Sequence, residues 1–183
     1  MRIYTRDGDD GTTGLYFGGR VSKDDPAIEL NGAVDEAQAV IGLARSSTPR
    51  GGELDLLLIT VERDLWVLMS EVATAAENRR KLKPGATLVT EQMVTRLERS
   101  IDELSERTEL PKEFVVPGDL PVAAGLDVAR TVVRRAERLT VGCQLEGSFV
   151  PAYLNRLSDL LWAAARWQEG AVHRTAKGLE EEW

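Results

Sequence analysis

Apolar residues recur at helical spacing through most of the chain. Between Ala27 and Ser46, the residues Val34, Ala37, Ile41 and Ala44 fall on one helical face. Pro49, Gly51 and Gly52 then close the pattern. A longer second helix is expected from Glu53 to Arg79, with Leu58, Val61, Leu65, Leu68, Val72 and Ala75 three or four apart. Lys83-Pro84-Gly85 reads as loop, and Thr90 as the cap of a third helix with Met93, Leu97, Ile101 and Leu104 inward. The stretch Pro111–Pro121 is proline-rich and not helical. Pro121 sits at the start of a fourth helix with Val122, Leu126, Ala129, Val133 and Ala136 as its stripe, ending near Gly142. Pro151 opens a fifth, with Leu154, Leu157, Leu161 and Ala165 inward. The tail from Gln168 to Trp183 reads equally as helical or frayed. These elements predict an all-α, up-and-down five-helix bundle in a single domain. Its parts are a polar segment 1–26, a bundle 27–167 and a tail 168–183.

Composition narrows the class. Among 183 residues, 43% are hydrophobic and 29% charged, while aromatics are only 5%, which favours helices over a sandwich or barrel. A net charge of −7 argues against a general nucleic-acid or acidic-membrane binder, so any anion site must be a local cluster of cations. The lone Cys143 excludes an internal disulfide and reads as a small buried apolar residue in a reducing compartment. No apolar run is long enough to span a membrane. A soluble, cytoplasmic protein is expected.

Three polar stretches stand out from ordinary surface. Arg130, Arg134 and Arg138 recur every four residues with Glu137 beside them, so three guanidinium groups share one stripe. Their mutual repulsion becomes attraction if a polyphosphate binds there; the alternative is a solvated face paired with acids of neighbouring helices. In YLNRLSDLLWAAAR, Asn155 and Asp159 share a face with Trp162 and Arg166, and Arg156 is placed to pair with Asp159. Such poor helix formers satisfy either one another or a ligand. The opening TRDGDDGTTGL is rich in turn residues. Glycines there permit an anion-binding nest, Thr12 and Thr13 offer hydroxyls, Asp9 and Asp10 are candidate magnesium ligands, and Lys23 adds charge. A loosely held terminus is the competing reading.

In order along the chain, TRDGDDGTTGL, RVSKDD, VDEAQAVIG, FVVPG, ARTVVRRAER and YLNRLSDLLW resemble the PduO-type ATP:cob(I)alamin adenosyltransferases from Ile3 to Trp167. The resemblance implies a ferritin-like, cobalamin adenosyltransferase-like bundle that assembles as a homotrimer with active sites between subunits. It implies transfer of the 5′-deoxyadenosyl group of ATP to cob(I)alamin, giving adenosylcobalamin and triphosphate, with magnesium. The ATP site would comprise Thr5, Arg6, Gly8, Asp9, Gly11, Thr12, Thr13 and Lys23 in the nucleotide-binding first segment, and Arg134, Glu137, Arg138 and Asn155 from the bundle. Phe114, Arg134 and Glu137 would carry the chemistry: Phe114 beneath the corrin, displacing the lower axial ligand of cobalt, and Glu137 near the metal. Arg130 would pair with Asp35 across the subunit interface. A reductase or a cobalamin-dependent acceptor enzyme is an expected partner.

Cob(I)alamin is a strong nucleophile and triphosphate a stable leaving group, so positioning and electrostatics suffice without a catalytic base. By the same reading, the only histidine, His173, is a surface residue of the tail rather than a cobalt ligand. Three positions depart from the family pattern: Asp7 in the opening loop, Asp119 after Pro117-Gly118, and Asp127 in place of a histidine before ART. They motivate an alternative, a degenerate ATP-binding trimer that senses nucleotide or carries corrinoid. A purely structural bundle is the third reading.

Overall fold

A computed structural model describes residues 4–171 and 173–176 of the chain. Five helices carry the fold: α1 (Pro26–Arg45), α2 (Glu53–Val72), α3 (Glu91–Arg107), α4 (Pro121–Leu139) and α5 (Val150–Glu169). A small antiparallel hairpin of β1 (Thr12–Gly14) and β2 (Arg20–Ser22) precedes them, in the register Thr13 opposite Val21. The hairpin was not expected, because three-residue strands in glycine-rich sequence carry no alternating pattern. Short 3-10 turns follow α2 (Ala76–Lys81) and α4 (Thr140–Gly142). Among the described residues no helix is long and apolar enough to cross a membrane.

Local chemistry sets the helix ends. Asp25 caps α1 by accepting from Ala27 N at 2.9 Å, and Pro26 fills the first turn, where no N–H partner is needed. Thr90 caps α3 as expected, its Oγ1 accepting from Met93 N. The second helix stops seven residues short of its expected end at Arg79. Its apolar period does run on to Ala75, yet the Ala73 carbonyl is taken by Tyr16 N at 2.8 Å, and Tyr16 and Thr74 form a strand-like bridge. Beyond it Arg79 folds back on the fully buried Glu71 at 2.7 Å.

The core follows the stripes read from the sequence. Val34, Ala37, Ile41, Leu58, Leu65, Leu68, Leu126, Ala129, Val133, Leu154, Leu157 and Leu161 are all buried. Helix α1 packs on α2 and α4, α4 on α5, and α5 on α3. Small residues permit the closest of these approaches. A Cβ built on Gly125 of α4 would stand 2.9 Å from Ala44 Cβ and 3.1 Å from Ala44 Cα on α1. Charges also enter the interior: Asp64, for instance, accepts from the buried Tyr153 hydroxyl at 3.0 Å and pairs with Arg96 at 2.7 Å. Burial first, then the Asp64 charge, pushes the Tyr153 hydroxyl well above its ordinary value.

Gly125→Ala is expected to destabilise the bundle. The gain in helix propensity is about 1 kcal/mol, against roughly 1–3 kcal/mol for overpacking a contact that involves backbone. The urea midpoint should fall, and combining the change with Ala44→Gly should recover most of the loss.

Candidate active site

The opening loop is wound around two cations. Arg20 donates to the Asp7 carbonyl and, through Nε, to Thr12 Oγ1 at 3.0 Å. Lys23 Nζ donates to the Gly8 carbonyl at 2.7 Å, and its own N–H donates to Gly11 O at 2.9 Å. A side chain at Gly8 would meet that ammonium, since a Cβ there would lie 3.1 Å from Lys23 Nζ. Arg6 and Gly11 have positive φ, 69° and 81°, so the backbone turns twice within six residues. Asp10 accepts from both the N–H and the hydroxyl of Thr12, at 2.9 and 2.8 Å, and these bonds hold its carboxyl below the usual range. The reading of a loosely held terminus therefore fails for residues 5–13. Asp10 is engaged inside the loop, and Asp9 is exposed. Among the described residues, no three carboxylate, histidine or cysteine groups converge to hold a metal.

On α4 the arginines divide into two sets. Arg130 Nε donates to Asp127 at 3.2 Å, and Arg135 pairs with Glu36 of α1. Arg134 and Arg138 are exposed, and neither has a carboxylate partner among the described residues. Arg138 instead donates to the Arg134 carbonyl at 3.0 Å. Glu137, half-buried between them, accepts from Asn155 Nδ2 of α5 at 2.8 Å. Asn155 is thus satisfied by Glu137 and by Arg156, which also donates to Glu98 at 3.0 Å. The expected Arg156–Asp159 pair is replaced by that bond to Glu98, because α3 packs directly against α5. Asp35 is exposed on α1 and has no ion pair among the described residues.

Phe114 is 89% exposed, in an irregular segment between α3 and α4. It borders a cavity of about 420 Å³ whose walls include Lys112, Asp127, Arg130, Trp162 and Arg166. Asp127 is buried there, held between Arg130 and the Arg166 guanidinium at 2.6 Å. Asp119 lies 3.5 Å from Arg174. The sequence missed the roles of Asp127 and Arg166. The available signal was spacing: each follows a core-facing residue, Ala123 and Trp162, by one helical turn.

Three expectations are corrected. His173 is not a surface residue: its side chain is 6% exposed, with Nδ1 3.1 Å from Glu169 Oε2. The chain turns back after α5 at Gly170 (φ 79°), which carries His173 inward. Of the tail, residues 173–176 run beside the Phe114 segment, so it is neither a continued helix nor frayed there; residues 177–183 lie outside the described part. Cys143 is half-buried rather than buried, at the rim of a second cavity of about 350 Å³ beside the hairpin. Burial pushes its thiol up, helped by Asp25. The 3-10 turn after α4 leaves it short of the core, with Sγ donating to the carbonyls of Pro26 and Leu139 at 3.4 Å.

Known proteins resemble this chain in sequence and in fold. The family model for cobalamin adenosyltransferase matches residues 3–168. A corrinoid adenosyltransferase of Citrobacter freundii is 39% identical over 171 residues, covering 92% of this chain and 95% of that protein. One from Mycobacterium tuberculosis is 41% identical over 170 residues, covering 90% and 87%. Among solved structures, a variant PduO-type ATP:corrinoid adenosyltransferase from Lactobacillus reuteri, complexed with cobalamin and ATP, superposes with a TM-score of 0.84. It is 30% identical, with 96% of this chain and 99% of that one covered. With a family model spanning most of the chain and relatives matched nearly end to end, the chain belongs to the PduO-type ATP:corrinoid adenosyltransferase family.

Proposed function

We infer that this protein transfers the 5′-deoxyadenosyl group of ATP to a cob(I)alamin-type corrinoid. The observation that carries the site assignment is the division of the α4 arginines: Arg130 and Arg135 have carboxylate partners, whereas Arg134 and Arg138 have none among the described residues. Two adjacent, unneutralised guanidinium groups on a protein of net charge −7 are suited to a polyphosphate. In the reaction the cobalt(I) electron pair attacks C5′ of ATP, the C5′–O bond breaks, and the triphosphate leaves with that bond's electrons. No proton transfer is required. Arg134 and Arg138 stabilise the charge growing on triphosphate, and the Asn155–Glu137 bond fixes Glu137 beside them.

The opening loop supplies the rest of the nucleotide site. Thr5, Arg6, Gly8, Asp9, Gly11, Thr12 and Thr13 would wrap the phosphates, with Lys23 already held against the loop backbone. Magnesium would enter with the triphosphate, because the described residues offer it Glu137 nearby but no preformed cluster. Its contribution is to neutralise phosphate charge. Phe114 would face the corrin, filling the place of the lower axial ligand without offering cobalt an electron pair.

Of the three aspartates behind the degenerate reading, Asp127 is neutralised by two arginines and Asp119 sits beside Arg174. Only the exposed Asp7 side chain still faces the loop's surroundings. The active form would be a homotrimer with Asp35 of one subunit meeting Arg130 of the next; Arg130 uses Nε for Asp127, which leaves its terminal nitrogens for that contact. A reductase that supplies the cob(I) state, or an acceptor of the product, would dock on a cytoplasmic enzyme of this kind.

The direct test is an anaerobic assay with chemically reduced cobalamin, ATP and magnesium, followed by the corrin spectrum. Adenosylcobalamin should accumulate. ATP-induced thermal stabilisation without any adenosylation would instead establish the nucleotide sensor or corrinoid carrier.

Arg134→Ala and Arg138→Ala should each lower kcat/KM for ATP roughly ten- to a hundredfold, as loss of a charge-assisted phosphate contact costs about 1.5–3 kcal/mol. Arg135→Ala, at an exposed ion pair with Glu36, should leave those kinetics near wild type.

For Phe114→Ala the fold should be indifferent, with a stability change within about 0.5 kcal/mol by denaturant titration, because the ring is almost wholly solvated. Adenosylation should collapse and the four-coordinate cob(II)alamin signal should vanish from magnetic resonance spectra. A variant that keeps the signal would remove Phe114 from the mechanism.

For Asp35→Asn and Arg130→Gln, trimer dissociation should show coupling above about 0.5 kcal/mol in a double-mutant cycle. The cycle discounts the separate Arg130–Asp127 bond. Additive effects would mean that the two side chains do not meet.

A further inference from the structure

Phe114 is nearly free of side-chain packing, so the place of its ring must be set by its backbone. That backbone has little support of its own. Residues 109–119 form no helix and no regular strand, and three prolines or glycines (Pro111, Pro117, Gly118) interrupt them. Among the described residues, the two main-chain hydrogen bonds that tie this segment to another part of the fold both go to the C-terminal strap 173–176. Val116 N donates to Arg174 O at 2.8 Å, and Ala176 N donates to Phe114 O at 2.9 Å. Between them Val115 and Thr175 pair as an antiparallel bridge.

The strap is fixed in turn by buried charge. Gly170 N donates to Arg166 O at 3.1 Å, and Gly170 adopts a φ of 79° that lets the chain reverse out of α5. His173 then meets Glu169, at 3.1 Å, and Glu169 Oε2 lies 2.8 Å from Arg166 Nε. Arg166 Nη2 reaches across to Asp127 of α4 at 2.6 Å. The side chains of Arg166 and Glu169 are 1% exposed, and those of His173 and Asp127 6%. Arg166 is the shared partner of Asp127 and Glu169, and Glu169 of Arg166 and His173, so the four form one connected buried network. This chain of contacts starts on the wall of the Phe114 cavity and ends at the strap that grips the Phe114 backbone.

We propose that Glu169, His173 and the strap 173–176 are positioning elements for the reaction: anchored by Arg166 and Asp127, they clamp the backbone of Phe114 and thereby set where its ring meets the corrin. The inference rests on the reading of Phe114 given under Proposed function. It adds residues for which the opening motifs offered no role. It also accounts for Asp127, which departs from the family pattern: in this chain its carboxylate receives Arg166 and Arg130.

Two variants of the full chain test it. Ala176→Pro removes the N–H that donates to Phe114 O, at an exposed position. Thr175 pairs as a strand, the conformation that a residue before proline prefers, so the change introduces no conflict there. Glu169→Gln takes the central carboxylate from the buried chain and is expected to lower Tm, whereas Ala176→Pro is not. In both, exchange of the Val116 amide should accelerate about tenfold relative to amides of α4, as a local opening free of global unfolding does. In Ala176→Pro, KM for the corrinoid should rise several-fold and the four-coordinate cob(II)alamin signal should shrink, while KM for ATP stays unchanged. Wild-type Val116 exchange in both variants would overturn the clamp. Faster exchange with an unchanged corrinoid KM and signal, or an equal rise in KM for ATP, would overturn its role in positioning. A wild-type chain that formed no adenosylcobalamin would overturn the functional reading instead, and Val116 exchange would still decide whether the clamp exists.

Discussion

The approach of α4 to α1 at Gly125 and Ala44 governs how the rest of the molecule is arranged. With no side chain at Gly125, the two helices meet almost backbone to backbone, and α4 commits Ala129, Val133 and Ala136 to the interior. Helical periodicity then dictates what remains outside. Residues one turn apart from Arg130 to Arg138 share a flank of the helix, and Arg134 and Arg138 stand exposed there. The same helix holds α5 on its other flank, which brings Asn155 to Glu137 and Arg166 to Asp127. One close contact therefore places both the cationic pair and the wall of the Phe114 cavity.

Charge inside the bundle does a different job from apolar packing. An ion pair gains little net stability when both partners are buried, since desolvation offsets most of the attraction. It does impose geometry, because a guanidinium and a carboxylate meet only in certain orientations. Glu71 binds Arg79, Val89 N and the Ser148 hydroxyl, joining three loops at the end of α2. Asp64 gathers Tyr153 and Arg96, registering α2 against α5 and α3. Around Arg166 the same device orders the exit from α5 rather than a helix interface.

Most of the bundle was legible in the sequence, since burial of a stripe follows from spacing alone. Core positions such as Val34, Leu65, Val133 and Leu157 could be named without knowing their neighbours. What escaped depends on distant partners. Nothing within α2 announces that the Ala73 carbonyl will be claimed by Tyr16, so its end was placed too late. His173 reads as a surface residue of the tail, and neither Asp127 nor Arg166 announces the other, because a pairing between two helices leaves no mark on either one alone. In the candidate site, spacing and motif resemblance single out Arg134 and Arg138, resemblance alone singles out Phe114, and the structure adds which of their neighbours are already partnered. The engagement of Asp10 by Thr12 could not be read from a run of aspartates and glycines.

The solvated state of Phe114 has a thermodynamic consequence. An aromatic side chain presents on the order of 150–250 Å², and removing that area from water is worth about 25 cal/mol per Å². Here almost none of that gain goes to folding, because the ring is almost wholly exposed to solvent. Several kilocalories per mole of dehydration energy thus remain available to whatever flat, apolar face arrives in the cavity. Association at this site should carry a negative heat-capacity change and strengthen with temperature near ambient conditions, the opposite of what phosphate contacts alone would give.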